Sequence, residues 1–482
     1  MSYKDQSLSI SNPQNISMSF LGKLGILGIT FGILSLICSF FNLIIVSKKI
    51  TLSVTIVFIV VGTILYSYTL YFKSSAGIKN NHVWTNSLTN RGVLGWIIAI
   101  VLSTFYVLLY WWPEILGYQS GINNTNTGLI SLFDPLSQFF KSQNASQWFV
   151  YGTLYTLVIF ALGFKFIFKY RSNNYQIIRT LSLIVCQLGF AYLIPEILAG
   201  LNYNDSVDVD GNYIGWFDTD FKNVWPLDYD FFHRWHLEAM QNEAYQPFGM
   251  ILLVWGILLF LIVTPILTYF YGKRWYCSWV CGCGGLAETA GDPFRHLSSK
   301  SLSSWKIERW LIHSILIMVF IMTGATLYGY FFDTGTVWGI SIYNYFQKPY
   351  GFLIGACFSG VIGVGFYPLL GNRVWCRFGC PMAAYMGIFQ RFKSRFRITT
   401  NGGQCISCGN CSTYCEQGID VRAYAQKQEN IVRASCVGCG ICATVCPRGV
   451  LKLENGPEKT RFKSNLNLDE NINLVALSKN EA

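Results

Sequence analysis

Long stretches of this chain carry almost no charged position. Eight apolar runs of roughly 20 residues, the length that spans a bilayer as a helix, lie at 24–46, 52–72, 93–110, 149–167, 181–201, 250–269, 311–330 and 351–370. The first starts too late for a cleaved signal peptide and lacks a small-residue cleavage site, so it reads as a span. Five runs precede a polar stretch at 202–246 and three follow it. The pattern divides the chain into a five-helix membrane region (1–246), a three-helix membrane region (247–395), a cysteine-rich segment (396–455) and a polar tail (456–482).

Composition agrees with the pattern. Of 482 residues, 52% are hydrophobic and 13% charged, against about 25% charged in a soluble domain. Lys and Arg in short loops orient such a protein. With a cytoplasmic N-terminus, the inner loops carry Lys73, Lys79 and Arg91, then Lys169, Arg171 and Arg179, then Lys273, Arg274, Arg295, Lys300, Lys306 and Arg309. Lys48 and Lys49 are the exception on the outer side. The longest outer loop is acidic, with Asp205, Asp208, Asp210, Asp218, Asp220, Asp228 and Asp230. Eight spans return the C-terminus to the cytoplasm. Most of the formal charge of +11 then faces anionic lipid, and nucleic-acid binding is not expected.

Sixteen cysteines in a reducing compartment point to metal or redox sites before structural disulfides. Cys38, Cys186 and Cys357 lie singly within apolar runs and read as small buried hydrophobes. Cys405, Cys408, Cys411 and Cys415 form C-x2-C-x2-C-x3-C, and Cys436, Cys439, Cys442 and Cys446 repeat it, ending in Pro447. In a two-cluster ferredoxin the fourth cysteine of each run serves the other cluster. This assigns Cys405, Cys408, Cys411 and Cys446 to one [4Fe–4S] cluster, and Cys436, Cys439, Cys442 and Cys415 to the other. Glu416 stands where proline usually follows, with an expected effect on the turn and on that cluster's potential. A zinc ribbon needs two C-x2-C pairs and a longer loop, which this run does not provide.

Two further stretches, GKRWYCSWVC at 272–281 and GNRVWCRFGC at 371–380, share Gly-x-Arg-x-aromatic-Cys-x3-Cys. They follow the sixth and eighth apolar runs, so both are expected at the cytoplasmic face. Cysteines four apart share a helix face, and Arg274 and Arg373 would favour thiolates. Cys277, Cys281, Cys376 and Cys380 would hold a further Fe–S cluster or soft metal, or act as dithiol pairs. A closed zinc site would carry no electrons. Cys283 has no counterpart in the second copy.

Apolar spans, two C-x3-C motifs bracketing a helical hairpin and a C-terminal two-cluster run together resemble the bacterial membrane polyferredoxins. That group includes NapH of periplasmic nitrate reduction, the nitrous-oxide-reductase accessory protein NosR and the oxidase accessory protein CcoG. The resemblance covers about 271–454. Cys380-Pro381 matches the group's C-P ending, whereas Gly282 follows Cys281. The resemblance implies a bacterial inner-membrane protein that moves electrons between a quinol pool or cytoplasmic donor and a partner complex, or one that serves metalloenzyme maturation.

The front half holds a second echo. YWWPEILG at 110–117 and YLIPEILAG at 192–200 read as helix stops, whose Glu114 and Glu196 would take quinol protons or a cation if they are not simply paired. His233, His236 and Met240 would share a helix face suited to copper, or form a solvated helix. DVDG at 208–211 lacks the carboxylates of a calcium loop. His313 has no second intramembrane histidine for a bis-histidine haem. It reads as a quinone donor or a packed residue. No C-x-x-C-H haem motif occurs, and GVIGVG at 360–365 lies inside an apolar run, so it is no dinucleotide fingerprint.

The expected fold is therefore a polytopic α-helical membrane protein of about eight spans with a C-terminal cytoplasmic α+β ferredoxin domain. The expected function is electron relay through two [4Fe–4S] clusters, in an electron-transfer or quinol-dehydrogenase-type subunit. Maturation of a metalloenzyme through copper, or redox sensing, is the alternative. Membrane lipid, quinone and a redox complex are the expected partners.

Overall fold

The computed structural model describes residues 19–43, 46–72, 91–119, 125–202, 225–229, 231–232, 246–332, 336–337 and 339–456. Within them, seven helices are long and apolar enough to cross a membrane: Phe20–Phe40, Lys48–Phe72, Val93–Trp111, Gln147–Lys169, Asn174–Gly200, Leu253–Tyr271 and Leu302–Gly329. The eighth apolar run is helical too, but it is wound as π-helix over Gly351–Ile362 and broken by turns before the short helix Tyr367–Leu370. The protein is a polytopic helical membrane protein.

Small residues set the first hairpin. Gly22, Gly25, Gly28 and Gly32 line the buried face of the first span. A Cβ at Gly25 would lie 2.8 Å from the Gly62 carbonyl, so the two backbones touch, the usual basis of packing where lipid supplies no hydrophobic drive.

Prolines explain the irregular winding. The π-helical segments Cys186–Leu193, Leu259–Val263 and Tyr343–Gln347 each end two residues before Pro195, Pro265 and Pro349. Proline donates no N–H and crowds the carbonyl of the preceding turn, and local π winding absorbs both faults without breaking the helix. The expected stop at Pro195 is thus not a stop, because helix continues over Ile194–Asn202. In the first copy of the echo the helix does end, at Trp111, and Pro113 opens a 3-10 turn.

The C-terminal domain pairs strands Phe396–Thr400 and Leu451–Asn455 in antiparallel register, Ile398 opposite Leu453. Its two cysteine runs are internal copies. Ser407 and Gly438, Gly409 and Gly440, and Gly418 and Gly449 occupy matching positions, and all six have positive φ. The domain rests on the ends of the fourth to sixth spans. Tyr175 donates to the Gly438 carbonyl, Gln176 to that of Cys439, and Ser278 to that of Val437.

Basic residues gather at this ferredoxin end, although lipid is not what they face. Lys169, Lys273, Arg179, Arg295, Arg373 and Arg377 are all buried. For these side chains the expectation drawn from net charge is corrected: all but Lys273 pair with buried carboxylates.

Candidate iron-sulfur sites

Cys411 lies within electrostatic reach of Cys446, Cys408 and Cys405, and burial pushes its thiol up to about 12. Those four cysteines line one cavity together with Ile406, Arg422 and Pro447. Cys442 faces Cys439, Cys436 and Cys415 in the same way. Each run therefore sends its fourth cysteine to the other run's trio. The turns after Cys415 and Cys446 also match, with Gly418 N–H donating to the Cys415 carbonyl and Gly449 N–H to that of Cys446. Glu416 does not disturb the turn.

The two paired motifs also converge. Gly272 and Gly371, at their heads, share positive φ of 64° and 96°. Cys277 and Cys376 sit in single helical turns, whereas Cys281 and Cys380 are extended residues capping the helices Gly282–Thr289 and Pro381–Phe392. The pairs do not share a helix face, because the chain turns between them. Cys380 lies within reach of Cys376, Cys277 and Cys281, and Cys283 interacts with Cys281, Cys376 and Cys380. All five belong to one apolar cluster with Tyr276, Trp375 and Met382. Gly282 is the first helical residue in its copy, as Pro381 is in the other. Glycine suits that place because a Cβ would stand 2.6 Å from Gln187 Oε1.

Depth is where the structure departs most from the sequence reading. The chain re-enters the bundle after the sixth span. Trp279 accepts from Ser182, and Gly282 packs on Tyr155 and Gln187. The helix that follows then returns to Asp292, which pairs with Lys169 at the end of the fourth span. At a rise of ~1.5 Å per residue, Tyr155 lies roughly 21 Å from Lys169 and roughly 12 Å from Gln147. The second motif dips likewise: Tyr385 donates to the Phe260 carbonyl, halfway along the sixth span. Cys281 and Cys380 thus stand inside the helical bundle, not at its edge. Both capped helices aim their positive ends at these cysteines, a field that favours anions.

An ionic lattice joins this site to the ferredoxin domain. Glu288 accepts from Arg179, Arg295 and Arg373 at 2.6, 2.6 and 2.7 Å. Glu416 pairs with Arg295 at 2.7 Å and Arg373 at 3.1 Å. Arg373 also donates to the Cys277 carbonyl at 3.2 Å and lies 3.7 Å from Cys376 Sγ. Burial alone would raise the pKa of Glu288, but the three guanidiniums hold it well below the usual carboxylate range. The arginines do not do the same for the thiols. Burial pushes Cys277 up to about 12, against Lys273 and Arg373, and raises Cys376 against Arg373. Arg274 turns to the ferredoxin run instead, packing on Gly438 with its guanidinium over the rings of Phe396 and Tyr175.

Ligand spacing tests what such sites accept. A single zinc with Zn–S bonds of about 2.3 Å holds its sulfurs roughly 3.8 Å apart. Among the described residues, the one trio of ligating atoms within 4.8 Å is Glu288, Glu416 and Cys439, and arginines already occupy its carboxylates. Neither the ferredoxin cysteines nor the paired motifs have three sulfurs at the spacing of one ion.

Other residues resolve more simply. Glu196 pairs with Lys141 at 2.8 Å, whereas Glu114 is exposed in the 3-10 turn. His313 bonds to the Arg309 carbonyl of its own helix. Cys38 is exposed and Cys186 and Cys357 are half-buried, so none is a buried hydrophobe. His233, His236, Met240 and the DVDG stretch lie outside the described residues. Motif patterns do not single out Glu288, Asp292 and Arg295; their signal is three charges within eight positions of an otherwise small and apolar stretch.

Spans, re-entrant cysteine motifs and a two-run ferredoxin domain define a membrane-bound ferredoxin-type protein. Known families agree. A 4Fe-4S binding domain matches twice, at 253–301 and 350–399, once on each paired motif, and a 4Fe-4S dicluster domain matches 397–447. The chain thus carries 4Fe-4S binding domains on both paired motifs and a 4Fe-4S dicluster domain on the two ferredoxin runs. It is similar to YccM of Escherichia coli, named as an electron transport protein, with 27% identity over 39% of this chain and 51% of the relative. It is also similar to the methylamine utilization ferredoxin-type protein MauN of Methylobacillus flagellatus, with 29% identity over 33% of this chain and 54% of the relative. An uncharacterized protein of Methanocaldococcus jannaschii is 27% identical over 36% of this chain and 70% of its own length. The chain thus spans about half the length of YccM and of MauN. No solved structure matches.

Proposed function

We propose that this protein relays single electrons through three [4Fe–4S] clusters. One is held by Cys405, Cys408, Cys411 and Cys446, a second by Cys436, Cys439, Cys442 and Cys415, and a third by Cys277, Cys281, Cys376 and Cys380. Such clusters supply one-electron redox chemistry. The observation that carries the third is the convergence of the paired motifs inside the bundle, each within a match to a 4Fe-4S binding domain. The chain's own residues do the rest. Two helix N-termini face the negative site, apolar residues exclude water from it, and Arg373 bridges it to Glu416, beside Cys415. Quinone or a partner redox complex exchanges the electrons. The basic ferredoxin end supports an inner-membrane topology with both termini in the cytoplasm.

Iron and sulfide quantitation on anaerobically purified protein tests this. About twelve irons per chain are expected, falling to about eight in Cys376→Ala/Cys380→Ala, by four irons per cubane. About eight in the unaltered protein would remove the third cluster.

A further inference from the structure

The ferredoxin domain leaves open how electrons reach the opposite face of the membrane. The tertiary structure supplies a route. Tyr155 packs on Gly282, between Cys281 and Cys283. From there the rings continue without a break. Tyr155 and Tyr151 have centroids 5.4 Å apart, Tyr151 and Tyr106 5.9 Å, Tyr106 and Tyr110 6.4 Å, and Tyr110 and Trp148 5.1 Å. Tyr106 is buried, with its ring edge-on to that of Tyr151. Trp148 is half exposed, one residue inside the end of the fourth span away from the ferredoxin. The ladder starts at the paired-cysteine site and finishes at the far face.

We propose that Tyr155, Tyr151, Tyr106, Tyr110 and Trp148 form the path by which the paired-cysteine site exchanges electrons with a metal-centred one-electron partner on the face opposite the ferredoxin domain. This rests on the third-cluster reading above. In the outward direction, one electron leaves the reduced cluster and converts one ferric or cupric centre of the partner to ferrous or cuprous. No covalent bond forms or breaks and no proton is transferred. The rings act as the tunnelling medium and are not themselves oxidised. The rings hold contact distance throughout, at the 4.5–7 Å centroid separations that aromatic pairs prefer.

The path has two separable requirements. The first is depth, read without turnover. Purified holoprotein is placed in vesicles, and an impermeant dysprosium complex is added to one side or the other. Microwave power saturation then reports which cluster signals relax. The ferredoxin signals should respond only from their own side, and the paired-site signal should respond from the opposite side. A paired-site signal that responds only from the ferredoxin side overturns the proposal.

The second demand is the ladder. Vesicles with trapped ferricyanide receive external dithionite, and bleaching is followed. Tyr106→Leu/Tyr151→Leu should slow it by an order of magnitude or more with iron content unchanged, while Tyr106→Phe/Tyr151→Phe should keep the rate. Unaltered rates in the Leu variant, or an equal loss in the Phe variant, overturn it. A chain with about twelve irons that passes no electrons across the bilayer sinks this inference alone. A chain with about eight sinks the third cluster itself.

Discussion

Glu288 is the residue on which the junction between bundle and ferredoxin depends. It is buried and meets three arginines, so removing its charge takes away the carboxylate that Arg179 pairs with, while Arg295 and Arg373 keep Glu416. Breaking a buried ionic group in this way costs about 3–5 kcal/mol. Glu288→Gln should lower the melting midpoint of the solubilised holoprotein accordingly, and an unchanged midpoint would show that the lattice contributes nothing. Because the folded pKa of Glu288 lies below its ordinary value of 4.5, its stabilisation is complete above the ordinary value. It is lost only as pH falls through the depressed one. Melting should therefore show no loss from this group between about pH 7 and pH 5. Glu416 has a related task. It occupies a place where a ferredoxin run usually has proline, and its charge is neutralised by Arg295 and Arg373 instead of acting unpaired on the cluster.

At the scale of elements, matching backbone conformations organise both kinds of cysteine site. Gly272 and Gly371 turn the chain back into the bundle, and each second cysteine then caps a helix. The first copy is packed so closely that a Cβ at Gly284 would stand 2.1 Å from the Cys277 carbonyl. Gly284→Ala is expected to cost about 1–3 kcal/mol through overpacking. It should lower iron at the paired site while the ferredoxin signals persist. Gly324→Ala is the matched control, since nothing lies within 4 Å of its added Cβ. Equal iron content in the two variants would show that the re-entrant turn tolerates displacement.

For the whole molecule, the alternation of spans puts the ends of the second, fourth and sixth and the starts of the third, fifth and seventh beside the ferredoxin domain. Arg91 ties the third span to the Leu297 and Leu369 carbonyls, and Arg171 ties the fourth to that of Tyr71. If this is the cytoplasmic end, a fluorescent protein fused at Ala482 should fluoresce. Alkaline phosphatase fused after Asn202 should be active. The reverse pattern would invert the topology.

Much of this was legible along the chain. Apolar length marks the spans, because a bilayer core demands it locally. The two ferredoxin runs are equally local, since three of each run's four cysteines come from a single tight turn. Depth was not legible. A loop rich in Trp, Gly and Cys reads alike at the membrane edge and inside the bundle, and only the packing of Gly282 on Tyr155 and Gln187 distinguishes them. Nor do pairing rules foretell that Glu416 would meet Arg295, 121 positions away. The sequence by itself determined the membrane class, the ferredoxin domain and the existence of two matched cysteine motifs, because period and spacing are properties of neighbours. Tertiary structure alone decided that those motifs meet within the bundle, joined to the ferredoxin by arginine and to the far face by tyrosine. Those contacts unite residues from many elements and appear only when the chain closes on itself.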